Sequence, residues 1–315
     1  MKIINLGEQT ERTVPCVATI GFFDGVHLGH CFLINKVVET ARNMGMVSMV
    51  VTFAVHPGQV LCRGNHPQLL STLDEKTALL AQTGVGRLAV LPFDTAMAAL
   101  SARDFMDEVL LRRLGVRVLV TGYDNHFGRR DASSPEGFCD YVRYGRELGM
   151  TVLPCSPFDA GPVRVSSSQI RRFLQEGDIG QATRCLGRRY ELTGEVIRGY
   201  HIGTGLGFPT ANLQPCCGEK LIPAPGVYAV WVRIGDSREQ LSGMMNIGRR
   251  PTFDGSQLTL EVHIFHFKAD LYGQQMTVSF VQRLRSEMKF DSSEALASQL
   301  ATDARRSEEI LLQIC

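Results

Sequence analysis

The chain of 315 residues holds no C-x-x-C pair, one tryptophan, and no stretch near the ~20 uninterrupted apolar residues that a membrane-spanning helix needs. Its first residues include Lys2, Glu8, Glu11 and Arg12 and carry no apolar run of the kind that heads a secretory signal. A cytoplasmic protein with no membrane partner is the expectation. Charge of one sign is lacking too: 33 Lys and Arg stand against 32 Asp and Glu, a net of +1. No global field then draws the chain to nucleic acid, and any polyanion must be met by a local site. Nine cysteines, an odd number, read as reduced thiols, and the adjacent Cys216 and Cys217 have no third and fourth ligand nearby for a zinc site. What the chain does have is 44% hydrophobic residues and the length for two cores of roughly 100–200 residues each.

Up to about residue 160 one rhythm repeats: an apolar β-branched run, a turn with Gly or Pro, then an amphipathic helix-length segment. Strands are expected at Val17–Gly21, Val47–Phe53, Arg87–Leu91, Val116–Gly122 and Thr151–Cys155, and a helix through Phe105, Val109, Leu110, Arg113 and Leu114. Continuous apolar strands imply a parallel sheet covered on both faces, with ligands bound beyond the strands' carboxyl ends. Short helices are expected near Ser167–Glu176 and Ile179–Leu186. From about residue 186 the pattern alternates, as in Leu258, Leu260, Val262 and Ile264 against Thr259, Glu261, His263 and Phe265. Frequent glycine turns there predict a small closed antiparallel β-barrel, followed by a helix over about 292–313. The fold class is therefore α/β, a Rossmann-like parallel-sheet domain at 1–185 and a small antiparallel barrel domain with a terminal helix at 186–315.

Directly after the first of these strands stands Gly21-Phe22-Phe23-Asp24-Gly25-Val26-His27-Leu28-Gly29-His30, opening a helix. Gly21 and Gly25 permit a tight turn and close ligand approach, and a helix start presents N–H groups and a positive dipole end, which suits phosphate. His27 and His30, three apart on the first turn, can both donate to phosphate oxygens. Further on, Val165-Ser166-Ser167-Ser168-Gln169-Ile170-Arg171 reads as a helix cap flanked by Arg164 and Arg171, cations suited to phosphate.

The histidine string resembles the H-x-G-H signature of the nucleotidyltransferase superfamily in the form found in bacterial FAD synthetases, and the serine string resembles that superfamily's I-S-S-T-x-I-R element. The resemblance implies ATP binding by Gly21, Phe23, Asp24, Gly25, His27, Gly29, His30, Asp124, Arg164, Ser167 and Arg171. It makes His27 and His30 the catalytic pair for adenylyl transfer. It continues through Thr52-Phe53, His56-Pro57, Leu91-Pro92-Phe93-Asp94 and Gly122-Tyr123-Asp124-Asn125-His126-Phe127-Gly128. The chain departs from it at Val55, where a proline is usual, at Asn125, where an aromatic is usual, and at Arg129-Arg130-Asp131-Ala132, where a Gly-rich basic loop is usual.

The second half carries Gly199-Tyr200-His201-Ile202-Gly203-Thr204-Gly205-Leu206-Gly207-Phe208-Pro209-Thr210-Ala211-Asn212-Leu213. Alternating glycines make a loop able to wrap an anion, yet no G-K-[ST] follows, so this is not a Walker loop. The string resembles that of riboflavin kinases, and matching segments continue through Pro225–Ala229, Met245–Phe253, Leu260–Ile264 and Leu284–Phe290. The resemblance implies ATP contacts at Gly203, Gly205 and Gly207, Mg²⁺ carried with ATP on Thr210 and Asn212, flavin contacts at Asn246, Arg285 and Glu287, and Glu261 as kinase base. Oxygen ligands are what Mg²⁺ prefers, and strand alternation sets Glu261 opposite the apolar face. Thr204 stands where arginine is common and His266 where aspartate is usual.

The chain thus resembles the bacterial bifunctional riboflavin kinase/FAD synthetase family over nearly its whole length. Its implied substrates are riboflavin, FMN and ATP, with no nucleic acid. Two alternatives remain: a kinase with a weak or inactive adenylyltransferase half, and a non-catalytic flavin- or nucleotide-binding regulator.

Overall fold

A computed structural model describes residues 1–5, 14–56, 58–59, 67–122, 126–129, 136–159, 161, 164–198, 205, 207–252 and 255–313. Contacts divide the chain into two compact units, Met1–Ser167 and Ser168–Cys315.

The first unit is a six-stranded parallel sheet. Its strands are β1 (Lys2–Asn5), β2 (Cys16–Ile20), β3 (Val47–Phe53), β4 (Arg87–Leu91), β5 (Val116–Gly122) and β6 (Thr151–Cys155), in the order β1-β4-β3-β2-β5-β6. The five expected strands are all present. β1, an edge strand paired with β4, went unread because four residues give no period to recognise. Helices α1 (Leu28–Asn43) and α2 (Leu73–Ala81) follow β2 and β3. α3 (Thr95–Ala99) and α4 (Ala102–Asp104) lead into a π-helix at Phe105–Arg113, and α5 (Phe138–Leu148) precedes β6. The expected helix at 105–114 is wound as π. Its buried residues are Phe105, Met106, Val109 and Leu110.

The core has two layers, one on each sheet face. Phe105, Leu110 and Tyr141 pack on one face against Ala18, Met49 and Val51, while Ile34 and Leu80 pack on the other against Val50 and Leu88. Such double coverage is why the strands read as unbroken apolar runs.

The second unit begins with α6 (Ser167–Glu176) and α7 (Ile179–Leu186). A closed barrel follows: β7 (Glu191–Ile197), β8 (Ala211–Pro215), β9 (Gly226–Ile234), β10 (Leu241–Thr252), β11 (Gly255–Ile264) and β12 (Gln275–Arg285), ordered β10-β11-β8-β7-β12-β9. All its pairings are antiparallel. The terminal helix α8 (Ser293–Leu312) starts at Ser292, whose hydroxyl accepts from Ala295 N, and lays Leu300, Ala304 and Leu311 on Val227, Ala229 and Leu284 of the barrel wall.

Candidate active sites

In the first unit the chain progresses outward from β2 through β3 to β4 on one side and through β5 to β6 on the other. The carboxyl ends of β2 and β5 therefore flank a switch point, where an open α/β sheet leaves a crevice. A cavity of about 500 Å³ lies there, lined by His27 and His30 after β2, Gly122 at the end of β5, Cys155 to Phe158 after β6, and Arg164 to Ser167.

The loop that feeds this cavity is held under strain. Gly25 takes φ +75°, and Phe23 and Val26 take φ +54° and +36°, conformations costly for side chains and most of all for a β-branched one. Gly21 is needed for a different reason: a Cβ there would lie 3.1 Å from the Phe23 ring. A Cβ on Gly29 would lie 3.3 Å from the His27 ring. The glycines of the motif thus let aromatic rings close on the backbone as well as let the chain turn.

His27 stands at the N-cap of α1, one residue before the expected first turn, and its Nδ1 accepts from His30 N at 3.2 Å. That bond puts the ring proton on Nε2, a donor rather than an acceptor. The two imidazoles stack at 3.6 Å with 16° between planes. Ser167 Oγ donates to Asp24 O at 2.9 Å, drawing the serine string against the histidine loop. Arg164 lines the same cavity, whereas Arg171 lies on α6 in the second unit. Asp24 is buried, and its carboxylate is occupied by Leu70 N, Ser71 N and Ser71 Oγ at 3.0–3.2 Å, so it anchors the loop from beneath. Asp124, Asn125 and Arg130 to Ala132 lie outside the described residues.

Sequence reasoning did not reach Phe32 and Phe158, whose rings meet at 5.6 Å on the cavity wall. Cys155 is also on that wall, and burial pushes its thiol above the ordinary value.

The second site lies on the outer face of the barrel. Leu260, Val262 and Ile264 are buried, so the intervening Glu261 points the other way. Strand register sets Glu261 between Asn246 of β10 and Asn212 of β8, a row of three polar residues across three strands. Thr210, Asn246, Glu261, Arg285 and Glu287 line one cavity of about 320 Å³, closed on one side by Leu296 and Leu300 of α8. Asn212 lines a neighbouring cavity with Arg198 and Thr259. Thr210 also borders a cavity of about 270 Å³ beside Phe267 and Tyr272, and so stands where the two meet.

The turn holding Thr210 is anchored by His263, whose Nδ1 meets Pro209 O at 2.7 Å and whose ring packs edge-on to Phe208 at 5.3 Å. Arg285 is ion-paired with buried Asp303 of α8, Nη2 to Oδ2 at 2.8 Å. Asp303 escaped sequence reasoning, although Asp303, Ser307 and Leu311 mark a helix face at i+4 spacing. Gly207 takes φ +84° and Gly205 is exposed, while Gly203 and Thr204 lie outside the described residues.

Hydroxyl, amide and carboxylate oxygens at Thr210, Asn212 and Glu261 suit a hard divalent cation. Among the described residues no group of three or more His, Cys, Asp or Glu could hold a metal ion.

A parallel sheet with a switch-point cavity, joined in one chain to a closed barrel with a cleft on its outer wall, defines a two-unit protein with a small-molecule-sized cavity in each unit. A family model described as FAD synthetase matches residues 9–169, and one described as riboflavin kinase matches residues 186–311. The chain belongs to the family of bifunctional riboflavin kinase/FMN adenylyltransferases. The protein so named from Escherichia coli (strain K12) is 35% identical over 313 residues, 98% of this chain and 97% of that one. Its namesake from Pseudomonas fluorescens is 38% identical, covering 91% and 90%, and that from Bacillus subtilis (strain 168) 33%, covering 94% and 93%. A crystal structure named as a macrolide-efflux protein from Streptococcus pneumoniae superposes with a TM-score of 0.85 at 29% identity over 96% of this chain and 97% of that one. Efflux belongs to that protein's name. Among the described residues here, no helix is long and apolar enough to cross a membrane.

Proposed function

We propose that this chain makes FAD in two steps: riboflavin and ATP give FMN and ADP on the barrel unit, and FMN and ATP give FAD and pyrophosphate on the parallel-sheet unit. The observation that carries the reading is the presence, in one chain matched by both family models, of two separate cavities with complementary donor sets.

In adenylyl transfer the FMN phosphate is itself the nucleophile. An oxygen of that phosphate bonds to the α-phosphorus of ATP as the bond to the bridging oxygen breaks and pyrophosphate leaves. The protein then needs no covalent group, and positioning and charge neutralisation supply the catalysis. His27, with its proton on Nε2, and His30 donate to phosphate oxygens as negative charge grows, and Arg164 adds a permanent cation. Phe32 and Phe158, their rings tilted 45° to one another, offer apolar faces to the adenine ring.

In the kinase step Glu261 accepts the proton of riboflavin's primary alcohol while the alcohol oxygen bonds to the γ-phosphorus and the bond to the β–γ bridging oxygen breaks, releasing ADP. Asn246, Arg285 and Glu287 hold the flavin in the cavity beneath α8. ATP lies towards Phe267 and Tyr272, so Thr210, between the two cavities, stands where the phosphates cross. Thr210 and Asn212 would hold Mg²⁺, which neutralises phosphate charge when bound.

The test is to incubate the chain with riboflavin and Mg-ATP and to separate riboflavin, FMN and FAD by chromatography over time. FMN should rise first and FAD follow. FMN without FAD would mark the chain as a kinase alone, and bound but unaltered riboflavin would mark it as a regulator.

A further inference from the structure

Lysine is seldom found in a protein interior, because its ammonium must replace lost solvation with partners. Lys76, on α2, is 2% exposed. α2 begins in a reciprocal cap, with Thr72 Oγ1 accepting from Glu75 N and Glu75 Oε2 accepting from Thr72 N, and this fixes where Lys76 lies. Its Nζ donates to Phe53 O at 3.0 Å and Phe22 O at 3.1 Å, and stands 4.0 Å from the centroid of the Phe22 ring. Phe53 ends β3, and Phe22 opens the loop after β2. That loop carries the positive-φ residues Phe23, Gly25 and Val26 and delivers His27. Immediately before α2, Leu70 and Ser71 bind the Asp24 carboxylate, and Ser71 Oγ receives Gly25 N at 2.9 Å. The segment 70–76 thus holds the strained loop from beneath, together with Thr52 Oγ1, which also donates to Phe22 O at 3.1 Å, and Ser167 Oγ, which donates to Asp24 O.

We propose that Lys76 is a positioning residue for adenylyl transfer, clamping the Phe22 and Phe53 carbonyls and cancelling the Asp24 carboxylate under the loop that meets ATP. The inference rests on the reading of the first cavity as the adenylyl-transfer site. With Lys76 charged, Asp24 and Lys76 together present no net charge to the phosphates. With Lys76 neutral, a buried carboxylate opposes them.

The charged group that acts on Lys76 from the loop is Asp24. β3 contributes the Phe53 carbonyl, His56 beyond it meets the Phe22 ring edge-on at 4.6 Å, and α2 itself carries Asp74 and the capping Glu75. Burial is the larger influence and pulls the ammonium down to about 8, with Asp24 opposing it. The folded chain then releases this proton at a pH where the unfolded chain still holds it. Through this group the fold gains stability as pH rises past 8, in the same range where the clamp loses its charge. Loss of the clamp's charge therefore does not itself destabilise the fold, and the melting temperature read alongside activity separates the two.

The experiment measures FMN-to-FAD and riboflavin-to-FMN conversion on the same preparations from about pH 6.5 to 9.5, with melting temperatures, for the parent, Lys76→Met and Lys76→Arg. In the parent, kcat/KM for ATP in FAD formation should fall about tenfold through an apparent pKa near 8, the effect of one unit charge at roughly 10 Å in an effective dielectric of about 20. FMN formation should lack this limb. Lys76→Met should form FAD slowly and without the limb, and Lys76→Arg should carry the limb above the range. A parental pH profile with no limb near 8, or Lys76→Met matching the parent in rate and profile, overturns the proposal. If Lys76→Met unfolds the sheet unit, that unit's melting transition is lost while FMN formation on the barrel unit persists, and the parental profile alone decides. A parent that makes FMN but no FAD at any pH refutes the functional reading, and the Lys76 proposal falls with it.

Discussion

Replacing Asp303 by asparagine asks whether the terminal helix shapes the flavin cavity. Asp303 is 3% exposed and accepts Arg285 Nε at 2.9 and 3.2 Å, Arg285 Nη2 at 2.8 Å, and Gln299 Nε2 at 2.9 Å. Asparagine keeps the volume and one acceptor oxygen but leaves Arg285, whose side chain is 17% exposed, without its counter-charge. Breaking a buried pair from one side costs about 3–5 kcal/mol, and the amide oxygen left in place argues for the lower end, about 3 kcal/mol. A unit of this size loses roughly 2–4 °C per kcal/mol, so its melting temperature should fall by about 6–12 °C. Arg285 lines the cavity with Glu261 and Glu287, and a guanidinium released from Asp303 can swing away from the flavin. The KM for riboflavin should therefore rise about tenfold, a loss of ~1.4 kcal/mol of binding, while FAD formation from supplied FMN stays at the parental rate. Thermal melting by circular dichroism and steady-state kinase kinetics read the two effects separately. An unchanged melting temperature would refute the burial reasoning, and a lowered one with unchanged KM would refute the link from α8 to the flavin.

Glu261→Gln should lower kcat for riboflavin phosphorylation by ~10²–10⁴ with FMN adenylylation intact, because the amide keeps the shape but cannot take a proton. A fully active kinase in this variant would remove Glu261 from the chemistry. The double change His27→Ala with His30→Ala should show the mirror image, FMN formation persisting while FAD formation drops by several powers of ten. Each charge-assisted hydrogen bond lost is worth about 1.5–3 kcal/mol. Because His27 also caps α1, a fall in stability of about 1 kcal/mol should accompany it in thermal melts. Parental FAD formation in the double variant would place adenylyl transfer elsewhere.

Much of this protein could be read from short stretches. The five sheet strands announce themselves through unbroken apolar runs bounded by turns, the barrel strands through a period of two and α8 through a period of about four residues, signals that depend only on which faces of an element meet the core. The motif from Gly21 to His30 was legible because a strand end, a turn and a helix start follow one another along the chain. Glu261 was legible for the same reason, since alternation with Leu260 and Val262 decides its face.

Other features were settled by which segments meet in space. Asp24 belongs to the Gly21–His30 motif, yet its carboxylate accepts from Leu70 and Ser71, 46 and 47 residues away. Lys76 meets Phe22 across 54 residues, and Asp303 meets Arg285 across 18. A lysine on a capped helix and an aspartate on a terminal helix look like solvated surface charges until packing buries them. The burial then makes each pairing consequential, because a charge removed from water is stabilised only by the partner that the fold brings to it.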